Sequence, residues 1–102
     1  MAKYIGIWYS WGESEYPVEV PECEDAFKYM MKIALEEVRV SVVEGEYAVT
    51  IFLEEDEDGG KVVVLNYHSD NEYCFYKIFD SEEECLTFLD EHTNDAKNYG
   101  SN

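Results

Sequence analysis

Positive charge is scarce in this sequence: seven Lys and Arg stand against 24 Asp and Glu, which gives a formal net charge of −17 over 102 residues. A surface this negative repels nucleic-acid phosphates and anionic membranes at long range. We therefore expect no direct binding to nucleic acid or to a membrane without a metal ion or a partner in between. The partner that this composition favours is a positively charged protein.

Long apolar runs and ligand-like cysteine spacings are missing as well. No run approaches the ~18 residues of a membrane span, and the first residues do not resemble a signal peptide. The three cysteines include no CxxC pair, and neither His68 nor His92 has a partner at zinc-like spacing. These absences predict a cytoplasmic protein with neither a metal site nor another cofactor. We expect its three thiols to be reduced and buried, and they belong to Cys23, Cys74 and Cys85.

Complete catalytic signatures are absent too. No nucleophile elbow surrounds any cysteine, and carboxylate pairs are too abundant here to indicate glycoside chemistry. The acidic run from Glu54 to Gly59 looks like the start of a calcium loop, but Leu65 stands at the twelfth position, where a bidentate glutamate is required. We expect the protein not to be an enzyme. A thiol enzyme is the weakest alternative and would require unusually fast reaction of Cys74 or Cys85 at neutral pH.

The chain is nevertheless rich in apolar side chains. Hydrophobic residues make up 46% of it and aromatic residues 16%, too much for an acidic disordered tail. We therefore predict one folded domain over residues 1–92 and a polar, flexible tail over residues 93–102.

The first half of the chain predicts one strand and one helix. Alternating apolar residues indicate a strand over Lys3–Tyr9, and a loop follows over Ser10–Val20. Apolar residues then recur at three- and four-residue steps, which predicts a helix that begins near Pro21. Two ends for this helix remain open, near Glu37 and near Glu44, since the valines between them suit either a helix or a strand.

The second half predicts a three-stranded meander and a second helix. The connections between the strands are short enough for antiparallel pairing. Ser81 and Glu84 match the S-x-x-E capping box, so the second helix should begin there and end near His92. The predicted strands are Tyr47–Leu53, Lys61–Tyr67 and Tyr73–Phe79.

These elements predict an α+β fold in the order β-α-β-β-β-α, with both helices packed on one face of an antiparallel sheet. Strand alternation assigns each side chain to a face. The face expected to meet the helices carries Val49, Ile51, Leu53, Val63, Leu65, Cys74, Tyr76 and Ile78. The opposite, outer face carries Tyr4, Trp8, Phe52, Val62, Val64, Tyr73 and Phe75.

The outer face is too apolar to remain in contact with water. It is covered by the Ser10–Val20 loop with Trp11 and Tyr16, or it pairs with a second copy or with another protein. The candidate residues for a homodimer or partner contact on this face are Tyr4, Trp8, Phe52, Tyr73 and Phe75.

The meander predicts a second candidate surface, made of carboxylates. In an up-down-up arrangement, the loop after the first of these strands and the end of the third strand lie at the same edge of the sheet. If the first strand runs parallel to Tyr47–Leu53, the helix start adds Glu22, Glu24 and Asp25 to that edge. The nine acidic candidates are Glu54, Glu55, Asp56, Glu57, Asp58, Asp80, Glu82, Glu83 and Glu84.

Two functions follow from these surfaces. The first is a nucleic-acid mimic, whose carboxylates occupy the phosphate sites of a basic DNA- or RNA-binding protein and so inhibit it. In size, acidity and mixed α/β order, the chain resembles small phage or mobile-element inhibitors of restriction or CRISPR nucleases, a class that no sequence motif defines. The alternative is a non-catalytic adaptor that uses the aromatic outer face and owes its acidity to solubility.

Overall fold

The computed structural model describes residues 2–45, 48–68 and 71–100, with residues 94–100 as backbone only. Five strands and two helices follow one another along the chain. The strands are β1 (Tyr4–Tyr9), β2 (Val18–Glu19), β3 (Val49–Glu55), β4 (Lys61–Tyr67) and β5 (Glu72–Phe79), and the helices are α1 (Ala26–Val43) and α2 (Glu82–Gly100).

The strands form one sheet in the order β2-β1-β5-β4-β3, with antiparallel pairing throughout. The predicted meander is therefore confirmed, and β1 joins it beside β5. Tyr47, where we predicted the start of the first meander strand, lies outside the described residues. Tyr4 pairs with Phe79, and Glu55 pairs with Lys61. The start of β1, the end of β3, the start of β4 and the end of β5 therefore lie at one edge of the sheet.

Strand β2 lies within the segment that we predicted as a loop. It is only two residues long, and its register pairs Tyr4 with Glu19 and Ile5 with Val18. This short strand runs antiparallel to β1, so it returns the chain to the edge where β1 began. As a result, α1 starts at that same edge.

Helix α1 begins later than the periodicity suggested. Asp25 is its N-cap, and the Asp25 carboxylate accepts a hydrogen bond of 2.9 Å from the Lys28 backbone N–H. Glu22 and Glu24 consequently precede the helix and do not occupy its first turn. At the other end the helix continues to Val43, so the later of the two predicted ends applies.

The serine half of the capping box predicted for α2 is present. Ser81 Oγ accepts a hydrogen bond of 3.1 Å from the Glu84 N–H, and three glutamates occupy the first turn. The helix continues past the predicted end at His92 and reaches Gly100. No proline interrupts residues 93–99, and Gly100 is the first glycine after Ser81, so the segment holds no strong helix breaker.

The α+β class is confirmed, but the two helices lie on opposite faces of the sheet, not on one. Met30 and Ala34 of α1 pack with Ile5 and Ile7 of β1 in the larger core. Cys85 and Leu89 of α2 pack instead with alternate β1 and β5 residues in a second cluster, which contains Tyr4, Trp8 and Phe79. Both sheet faces are apolar, so each needed its own cover.

Gly6 allows α2 to approach β1 closely. A Cβ atom at this position would lie 2.8 Å from Phe79 Cε2 and 3.1 Å from Cys85 Sγ. The absence of a side chain at Gly6 therefore makes room for the start of α2 on the outer face.

Candidate functional site

The acidic candidates do meet at one edge of the sheet, which we call the acidic end. The β3–β4 turn, the end of β5 and the start of α2 all lie there, as the strand register requires. Of the nine predicted carboxylates, eight are exposed and Asp56 is half-buried. The exposed members are Glu54, Glu55, Glu57, Asp58, Asp80, Glu82, Glu83 and Glu84.

Three further carboxylates join this end by an unexpected route. The predicted condition, β1 parallel to β3, is not met, because the strand order makes them antiparallel. Strand β2 brings the chain back nonetheless, and Glu22, Glu24 and Asp25 line one cavity with Lys3. Lys3 in turn pairs with Asp80 at 2.7 Å, which links the start of β1 to the end of β5.

A single lysine organises the centre of the acidic end. Lys77 of β5 is only 8% exposed, and its Nζ atom forms ion pairs with Asp56 and Asp58 of the β3–β4 turn. The same ammonium group lies 5.6 Å from the centre of the Phe79 ring and 5.2 Å from that of Phe88. These contacts are within the range of cation–π attraction.

The ion pair changes the chemistry of Asp56. The hydrogen bond from Lys77 lowers the pKa of the Asp56 carboxyl below its ordinary value, and the Glu57 backbone N–H adds to this effect. Asp56 is thus a structural carboxylate directed at Lys77, and it is poorly placed to meet a partner. Sequence reasoning missed Lys77, although a lone lysine within an apolar strand was the available signal.

An open groove of about 720 Å³ runs between the hairpin tip and α2. Lys77 and Phe79 lie among its lining residues. The groove brings together carboxylates from three elements and thereby confirms that the tip and the α2 start are neighbours. Its acidic residues are Asp58, Asp80, Glu83, Glu84 and Glu91.

The acidic end also has a structural role. Both helices begin there, and the amino end of a helix carries partial positive charge. Asp25 caps α1, and Glu82, Glu83 and Glu84 occupy the first turn of α2, where negative charge is favourable. Part of the acidity therefore stabilises the fold.

The aromatic outer face is less open than the sequence suggested. Trp8 stacks on Phe75 at 5.3 Å and makes an edge contact with Phe88 of α2 at 4.8 Å. Helix α2, and not the Ser10–Val20 loop, provides the cover. Tyr4, Trp8, Tyr73 and Phe75 are all half-buried, whereas Phe52 on edge strand β3 is 36% exposed.

The two loop aromatics point elsewhere. Trp11 stacks on Tyr9 with ring centres 4.5 Å apart, and Tyr9 belongs to the α1 side of the sheet because it pairs with Cys74. Tyr16 is 88% exposed. Neither residue therefore covers the outer face.

The three cysteines differ in burial. Cys74 and Cys85 are buried as predicted, and burial raises the pKa of the Cys74 thiol to about 12 and that of the Cys85 thiol to about 11. The prediction of a buried thiol was wrong for Cys23, which is exposed in the segment before α1. Among the described residues, no group of three or more His, Cys, Asp and Glu is arranged to hold a metal ion. Raised thiol pKa values oppose the thiolate that a nucleophile requires.

Neither helix, over the part of the chain that the structure describes, is long and apolar enough to cross a membrane. Comparison of the chain with protein-family models, with curated proteins and with solved structures returned no match.

Proposed function

We propose that the protein binds a basic DNA- or RNA-binding protein through the acidic end and inhibits it as a nucleic-acid mimic. The observation that supports this most strongly is the convergence of carboxylates from the segment before α1, from the β3–β4 turn and from α2 on one edge of a small domain. A concentrated negative field of this kind speeds encounter with a positive groove.

The acidic carboxylates differ in how freely they can meet a partner. Asp56 and Asp58 share Lys77, and Asp80 pairs with Lys3. Among the described side chains, the remaining exposed acids of the turn and of α2 take part in no ion pair. The residues that we expect to contact the partner first are therefore Glu54, Glu55, Glu57, Glu82, Glu83 and Glu84.

The ion pairs of Lys77 favour binding by fixing the geometry. They hold the β3–β4 turn beside α2, so the carboxylates of the two elements keep one relative arrangement before any partner arrives. Less conformational freedom is then lost on binding. This arrangement suits a cytoplasmic inhibitor of the kind that phages or mobile elements carry.

The test is capture of partners from lysate at low salt, followed by elution with duplex DNA, with RNA or with a salt gradient. The mimic variant is Glu57→Gln/Glu83→Gln, and its matched control, Glu44→Gln/Asp90→Asn, removes the same charge away from the acidic end. We expect to capture basic nucleic-acid-binding proteins that are released by added DNA or RNA. The mimic variant should bind them several-fold more weakly than the control variant does. Equal loss with both variants would refute a local acidic site.

A second candidate, the non-catalytic adaptor or homodimer, rests on Phe52. This ring is exposed on edge strand β3, whose outer edge is unpaired within the described sheet. A partner bound there should not be eluted by salt or by added nucleic acid. The Phe52→Thr variant should fail to capture it, whereas Glu57→Gln/Glu83→Gln should still capture it. The same capture experiment thus separates the two functions.

A further inference from the structure

A cavity of about 320 Å³ opens at the edge of the sheet opposite the acidic end. The ends of β1 and β4, the start of β5, the Ser10–Val20 loop and α1 all contribute to it. Its volume admits a group of side-chain size. The lining residues are Tyr9, Trp11, Glu13, Glu15, Glu37, Ser41, Tyr67 and Glu72.

Aromatic rings form part of the cavity wall. Trp11 lies nearly parallel to Tyr9, with an angle of 16° between the rings, and is 44% exposed. Tyr67, from β4, is 8% exposed and is part of the core. The cavity therefore has a flat, accessible indole supported by a ring that the core holds in place.

Hydrogen bonds orient two of the carboxylates. The Tyr9 hydroxyl donates to Glu15 Oε1 at 2.8 Å, and the Tyr67 hydroxyl donates to Glu37 Oε1 at 3.3 Å. Burial raises the pKa of both phenols far above the ordinary range, so both remain donors at neutral pH. The phenols hold these carboxylates in place and do not neutralise them.

The cavity carries negative charge without a described counter-charge. The basic side chains that form ion pairs among the described residues are Lys3, Arg39 and Lys77. Each of them pairs with an acid outside the cavity. None of those pairs includes the four glutamates of the cavity, which are Glu13, Glu15, Glu37 and Glu72.

We propose that this cavity binds a guanidinium group, presented as an arginine side chain of a protein partner. Guanidinium is the side-chain cation that stacks on an aromatic face and also donates several hydrogen bonds in its own plane. An accessible indole beside several carboxylates meets both requirements. The inference goes beyond the proposed mimicry, since it concerns the opposite edge of the sheet and a different recognition chemistry.

The direct test uses N-acetyl-arginine amide as the probe and two-dimensional NMR as the readout. The chain has two tryptophans, so their indole N–H signals report separately on Trp11 in the cavity and on Trp8 beneath α2. We expect a saturable shift of the Trp11 signal with little change at Trp8. The isosteric but uncharged N-acetyl-citrulline amide should produce no saturable shift.

Two variants locate the binding. Glu13→Gln/Glu72→Gln spares the carboxylates that accept the phenol hydrogen bonds. It should lower the affinity for the arginine probe by roughly fivefold or more. Glu24→Gln/Glu82→Gln removes the same charge at the acidic end and should leave the affinity unchanged. Equal binding of the citrulline probe, tighter binding of N-acetyl-lysine amide, or equal weakening by both variants would overturn the proposal. Each result is independent of the partner-capture experiment.

Discussion

The Lys77 ammonium is shared between the Asp56 carboxylate of the β3–β4 turn and the faces of two α2-side rings, Phe79 and Phe88. One nearly buried cation therefore joins the hairpin tip to the second helix. A buried charge that loses its partner is costly, so this contact should contribute more than an exposed ion pair does.

Replacing Asp56 tests that contact. We expect Asp56→Asn to lower the free energy of unfolding by about 1 to 3 kcal/mol, because Lys77 loses its hydrogen-bonded carboxylate. Urea denaturation measures the change. Asp58→Asn is the matched control, since Asp58 is exposed and 3.5 Å from Nζ, and it should have the smaller effect. Equal effects would show that the two carboxylates are interchangeable.

Acid should weaken the same contact. The pKa of Asp56 is lower in the folded protein than in the unfolded chain, so its contribution to stability is fully present above the unfolded value, about 4. That contribution is lost as the pH falls through the lower, folded value. We expect unfolding free energy to fall less steeply on acidification in Asp56→Asn than in the wild type. Parallel profiles for the two proteins would contradict this assignment.

Gly6 should tolerate no larger residue while α2 stays in place. The added methyl group of Gly6→Ala would overlap Phe79 and crowd Cys85, so we expect a loss of about 1 to 3 kcal/mol. Thermal and urea denaturation measure it. Combination with Phe79→Leu should recover part of the loss by making room, and a purely additive double variant would argue against the steric explanation.

Thiol labelling should distinguish the cysteines. With an aromatic disulfide reagent at neutral pH, we expect one fast thiol in the native protein, because Cys23 is exposed and Cys74 and Cys85 are buried. Cys23→Ser should remove the fast phase, and all three thiols of the wild type should react in denaturant. Fast native labelling of Cys74 or Cys85 would revive the thiol-enzyme alternative.

Local pattern predicted much of the fold. The limits of β4, Lys61–Tyr67, follow from its apolar run and its flanking turns, and the α2 start follows from Ser81 and Glu84. The division of side chains between the two faces was also correct, because strand alternation depends only on neighbours in sequence.

Features that depend on distant residues were harder to predict. Strand β2 is two residues long and has no periodicity to detect, yet it decides where α1 begins. Which face of the sheet α2 covers depends on how apolar both faces are, and so on residues from several strands. The many aromatic residues of the outer face were the signal in the sequence that this face needs a helix of its own. The cavity around Trp11 and Tyr67 unites residues from several elements, so no local motif marks it.

The start of β1 and the later part of α2 lie near opposite edges of the sheet, and this affects how the protein should be tethered to a support. Lys3 contacts Asp80 at the acidic end, whereas Thr93 of α2 contacts Ser14 near the opposite edge. A bulky fusion or a solid support attached through the start of the chain will therefore crowd the carboxylates. Attachment beyond α2 leaves them facing solution, and the difference in capture between the two orientations reports which edge a partner uses.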